Sequence, residues 1–121
     1  MPYRHLRRSD WASGDGWNGK LEGAKVGTGV SFLFNEVQGA GKGPPIHIHP
    51  YDELYLVRQG RAEVIVGTEE FEVVAGDILV IPAETPHKVV TAGDGRVEIV
   101  SVHVSATFEG VMPEGPEAPA P

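Results

Sequence analysis

Apolar and polar positions alternate with a period of two over most of the chain. Val30 to Val37 alternates so that Val30, Phe32 and Phe34 share one face, and the two Phe side chains are expected in the core. Ile46 to His49 reads as a short extended segment. Further strands are predicted at Glu53–Gln59, Ala62–Val66, Phe71–Val74, Ile78–Ile81, His87–Thr91 and Val97–Val104. Turn-forming residues separate them: Gly60-Arg61, Gly67-Thr68, Ala75-Gly76-Asp77, the bend from Pro82 to Pro86, and Ala92 to Gly95. No stretch sustains a period of 3.6. Short strands joined by tight turns predict an all-β sandwich or closed barrel.

The ends follow a different pattern. Residues 1–23 are polar and Gly-rich, with Trp11 and Trp17 as their large apolar groups, and read as an arm or edge strand. Residues 24–112 form the predicted barrel domain. The tail from Pro113 to Pro121, PEGPEAPAP, is Pro-rich and acidic and is expected to be flexible, because it offers little apolar surface to bury. The outward faces of two strands carry Leu54, Leu56, Val100, Val102 and Val104. Such a face needs a cover, from the N-terminal arm or from a second copy, and a homodimer is expected.

Composition narrows the chemistry. The length of 121 residues fits one domain, and sixteen Gly and ten Pro suit many tight turns. A net charge of −7 argues against nucleic acid or anionic membranes as partners. The basic cluster of Arg4, Arg7 and Arg8 with His5 reads as a solvated arm. There is no Cys, so disulfides, thiol nucleophiles and thiolate metal sites are excluded, and any metal must take nitrogen and oxygen ligands. No apolar signal segment and no membrane-spanning run is visible, which makes the cytoplasm the default location.

His47 and His49 stand two apart on an extended segment, so both imidazoles face the same way. Glu53 opens the next strand after the bend at Pro50-Tyr51-Asp52. His87 follows the Pro82–Pro86 bend, and a closed sheet could bring it opposite. Three imidazoles and a carboxylate suit one divalent ion of Fe, Mn, Ni, Zn, Co or Cu. A single strand His is more often a surface or packed residue, and a His-x-His pair alone is a weak signal.

Spacing strengthens the reading. Gly41-x5-His47-x-His49-x3-Glu53-x6-Gly60 resembles the first cupin motif at every fixed position, and Gly76-x5-Pro82-x4-His87 resembles the second. The resemblance covers roughly residues 26–104. It implies a cupin double-stranded β-helix, a jelly-roll barrel that is usually dimeric, with His47, His49, Glu53 and His87 as metal ligands. Two positions depart from the second motif: Glu84 stands where Gly is usual, and Thr91 where Asn is usual. If the turn at Glu84 needs a positive φ, Glu costs about 1 kcal/mol there.

Alternation from Glu53 turns Tyr55 and Val57 inward, and makes Tyr55 a possible pocket residue beside its reading as core. His103, in Ser101 to Phe108, is a second possible pocket residue. The expected function is that of a metal-dependent enzyme on a small oxygenated molecule, with dioxygenase-like chemistry ranked slightly before isomerase or lyase chemistry. The alternative is a non-catalytic cupin that binds a small ligand or keeps its metal for stability.

Overall fold

The computed structural model describes residues 3–109. The predicted Pro113–Pro121 tail and the last three positions of the predicted barrel lie outside the described residues. Eight strands follow a short helix: α1 (Arg8–Trp11), β1 (Gly19–Leu21), β2 (Ser31–Gln38), β3 (Glu53–Gln59), β4 (Arg61–Val66), β5 (Glu69–Val74), β6 (Ile78–Ile81), β7 (His87–Ala92) and β8 (Arg96–His103). A single 3-10 turn spans Gly23–Lys25. The helix is one turn long, too short to show a period, and the Arg7 N–H donates to the Asp10 carboxylate at its start (2.7 Å).

Two antiparallel sheets face each other in a jelly-roll barrel. One has the order β1-β2-β8-β3-β6 and the other β5-β4-β7. Alternation decides what lies between them. In β3 the residues Glu53, Tyr55 and Val57 are buried, and in β7 His87, Val89 and Thr91 are. Tyr55, Val57, Ala62, Val64, Val73, Ile81, Val89, Val97 and Ile99 form the interior core.

Phe32 and Phe34 share a face, but it is the outer one. Register pairs them with Val102 and Val100 of β8, while their neighbour Ser31 turns inward beside His103. The N-terminal arm covers them: the Trp11 ring stacks on Phe34 at 3.8 Å, and Trp17 meets Phe34 edge-on at 5.5 Å. Arg58 lies 3.8 Å over the Trp17 ring, and Arg96 joins Glu36 and Glu98, so a charged network fastens the arm to the sheet. The cover is partial. Leu54 and Leu56 continue the same rows to Val80 and Ile78, and Leu56, Ile78, Val80 and Val104 remain exposed.

Both departures from the second motif have structural roles. Glu84 has φ +64, and among the described residues it is the one non-Gly residue with positive φ. Its N–H donates to the His49 carbonyl (2.8 Å), which ties this turn to the His47–His49 segment. Glu84→Gly is expected to stabilise the fold by about 1 kcal/mol, by relieving the left-handed backbone cost. A thermal melt should rise by about 4 °C. An unchanged melt would show that side-chain contacts offset that cost.

Thr91 clamps the Gly/Pro hinge. Its hydroxyl donates to the Gly39 carbonyl (2.7 Å) and accepts from the Lys42 N–H (3.0 Å). The hinge then runs against β7 so closely that a Cβ on Gly43 would lie 2.1 Å from the Val89 carbonyl oxygen. This path delivers His47 to its bridge with His87.

Candidate metal centre

Register brings the four candidate residues together from opposite walls. On one sheet a row runs Ser31, His103, Glu53, Ile81. On the other, His87 lies between Val66 and His47. His49, two residues past His47, completes the group. His47, His49, Glu53 and His87 offer ligand atoms that all lie within 4.8 Å of one another, and each residue is at most 1% exposed.

The imidazole tautomers follow from their partners. His47 Nδ1 lies 2.8 Å from the Pro45 carbonyl, His87 Nδ1 lies 2.9 Å from the Thr85 carbonyl, and His49 Nδ1 faces the Glu109 carbonyl. A carbonyl only accepts, so each Nδ1 carries a hydrogen, and in the neutral ring Nε2 presents its lone pair inward. Nε2 of His47 is buried without a hydrogen-bond partner among the described residues. His49 Nε2 and His87 Nε2 each lie 3.0 Å from the same Glu53 oxygen, Oε1. Buried lone pairs converging on a carboxylate repel one another unless a proton or a metal cation lies among them. This donor set fits a divalent transition metal, with each Nδ1–H held as imidazole ligands require.

The two oxygens of Glu53 have different surroundings. Oε1 faces the imidazoles. Oε2 accepts from the Ser101 hydroxyl and lies 3.2 Å from His103 Nε2. Burial by itself would push the Glu53 carboxyl up, but hydrogen bonds with His103, His49 and His87 outweigh it and hold the group far below the usual carboxylate range. Burial lowers His47 to about 4, aided by the neighbouring imidazoles and opposed by its bond to the Pro45 carbonyl. His47 Nε2 is therefore unprotonated at neutral pH. At His49 burial also acts downward, but the facing Glu53 carboxylate and the Glu109 carbonyl prevail and raise it.

Tyr55 and His103 both lie against Glu53. Tyr55 is buried in the core, and its hydroxyl donates to the carboxylate; burial pushes its pKa well up. His103 sits beside Glu53 because β8 pairs with β3 in that register. Three further features escaped the sequence reading. Ser101 follows from alternation with His103 once β8 is known to face inward. Tyr51 gives no sequence signal: its hydroxyl lies 2.7 Å from His103 Nδ1, donates to the Glu109 carbonyl (2.8 Å) and accepts from the Glu109 N–H (2.9 Å). The third is the segment 105–109, which crosses the site with the Phe108 ring 5.1 Å from His103.

Comparison with known proteins agrees with this geometry. The cupin domain family matches residues 33–103. An uncharacterised protein of Methanocaldococcus jannaschii is 37% identical over 49 residues, which cover 40% of this chain and 39% of that relative. The match thus spans about two fifths of the relative's length. A cupin superfamily protein from Desulfitobacterium hafniense superposes with a TM-score of 0.56 at 23% identity, over 62% of this chain and 66% of the other. An oxalate oxidase bound to the substrate analogue glycolate superposes with a TM-score of 0.61 at 26% identity, over 69% of this chain and 45% of the other. With the family match spanning both motif segments and the buried His/Glu group between the two sheets, the chain belongs to the cupin family.

Proposed function

We propose that this protein is a metal-dependent enzyme acting on a small oxygenated molecule, with one divalent first-row transition metal held by His47, His49, Glu53 and His87. The observation that carries this reading is the convergence of three imidazoles and one carboxylate, their ligand atoms all within 4.8 Å of one another, in a buried site. A bound metal there supplies Lewis acidity, or redox chemistry, toward a ligand with paired oxygens. The chain's own contribution is positional. Backbone carbonyls fix the three rings, Ser101 and His103 hold the second Glu53 oxygen, and the barrel wall keeps bulk water away.

Oxidative, dioxygenase-type chemistry is ranked ahead of isomerase or lyase chemistry, because the ligand set suits redox metals. Oxygen uptake over a panel of catechols, diketones and thiols, with Fe- or Mn-loaded protein, tests this. Uptake with at least one of them is expected. Ligand binding without turnover would instead support a binding cupin, a second reading favoured by the near-complete burial of the centre.

The exposed Leu56, Ile78, Val80 and Val104 continue a sheet face that the arm covers only at its β2 end. This supports a homodimer built on that face. Its mass in solution should be twice that of the chain at micromolar concentration; a monomer mass would refute the dimer.

A further inference from the structure

Tyr51 stands in the bend between two of the candidate ligands, two residues after His49 and two before Glu53. Its neighbour Asp52 fixes that bend. The Asp52 carboxylate accepts from the Ala83 N–H (2.9 Å), and the Asp52 carbonyl accepts from the Val104 N–H (3.0 Å). The Tyr51 ring stacks on the His49 ring, with centroids 5.0 Å apart and planes 17° apart. The hydroxyl reaches both ligands, each through one intermediary. On one side it lies 2.7 Å from His103 Nδ1, and Nε2 of the same ring lies 3.2 Å from Glu53 Oε2. A carboxylate only accepts, so His103 Nε2 carries a hydrogen there, and Nδ1 of the neutral ring is the acceptor that the hydroxyl faces. On the other side the hydroxyl bonds both the N–H and the carbonyl of Glu109, and that carbonyl also accepts from His49 Nδ1.

From this circuit we propose that Tyr51 is a positioning residue of the metal centre: its hydroxyl holds His103 against Glu53 and Glu109 against His49, and so orients two ligands at once. The inference rests on the metal reading above. With Oε2 engaged by His103 and Ser101, the Glu53 carboxylate keeps Oε1 toward the imidazoles. Loss of the hydroxyl removes the bond that selects the His103 tautomer, so a fraction of the rings carry hydrogen on Nδ1 and offer Glu53 none. The competing role for Tyr51 is only to fasten the segment 105–109. That segment has three other anchors: the Ser31 hydroxyl donates to the Ser105 carbonyl (2.8 Å), the Ala24 N–H to the Ala106 carbonyl (2.8 Å), and the Phe108 N–H to the Glu22 carboxylate (3.2 Å). Removing one hydroxyl therefore leaves the segment docked and the stack on His49 in place.

The test separates the hydroxyl from the ring and from the segment. Metal-free wild type and four variants are each titrated with Co(II), following the visible absorption of the ion. Tyr51→Phe keeps the ring and removes the hydroxyl. It should raise the Kd for Co(II) about tenfold, the effect of losing an outer partner of a metal ligand, and change the shape of the Co(II) bands. His103→Leu, which removes the donor to Glu53, should do the same. His103→Gln, whose amide N–H can replace the ring N–H, should recover most of the affinity. Glu22→Ala, which removes the Phe108 anchor and leaves Tyr51 untouched, should match wild type in Kd and bands. Wild-type Kd and bands in either Tyr51→Phe or His103→Leu would overturn the inference while leaving the metal reading intact. So would a loss in Glu22→Ala equal to that in Tyr51→Phe. Absence of Co(II) uptake by wild type would overturn both.

Discussion

Replacing His47 and His49 together with Ala is expected to reduce bound first-row metal from one ion per chain to none in protein purified without chelator. Two of the three converging Nε2 atoms are then gone, and Glu53 with His87 alone offers too few ligands for a closed site. A second readout follows from mass action. A ligand that binds only the folded state at a thousand times its Kd stabilises it by about 4 kcal/mol. For a domain of this size, that raises the melting temperature by something on the order of 20 °C. Metal added to wild type should produce such a rise, and metal added to the double variant should not. Circular dichroism should remain β-rich in both. Retained metal, or an undiminished rise, would place the ion elsewhere. Wild-type affinity should also fall with pH, starting above 6.5 at His49, whose pKa is raised, because protons compete for the imidazoles. His47 resists this longest, since its own protonation is held down to about 4.

Glu53→Gln is expected to weaken metal binding by ten- to a hundredfold, the loss seen when a supporting partner is removed from a metal site. The substitution keeps shape and removes the charge. A free general base predicts another result: equal metal dissociation constants and lost turnover. The division of the carboxylate favours ligation, since one oxygen faces the imidazoles and the other is held by Ser101 and His103. Titration of both apo proteins with one metal decides between the two. Equal constants would remove Glu53 from the ligand set.

The sequence by itself determined the class of fold and the membership of the central group. Period-two alternation and Gly/Pro punctuation are local properties, so β2 through β8 could be read within a few residues of their observed ends. The spacing from Gly41 to Gly60 and from Gly76 to His87 carried His47, His49, Glu53 and His87, because each segment places its residues by local geometry. Tertiary structure decided the rest. Alternation shows which residues share a face but not which face meets the core, and so Phe34 lies outside under Trp11 and Trp17, with Phe32 stacked beside it. Register between strands distant in sequence set His103 and Ser101 beside Glu53. The Tyr51 link to Glu109, and that residue's carbonyl on His49, join positions about sixty residues apart through backbone atoms that no side-chain pattern can signal.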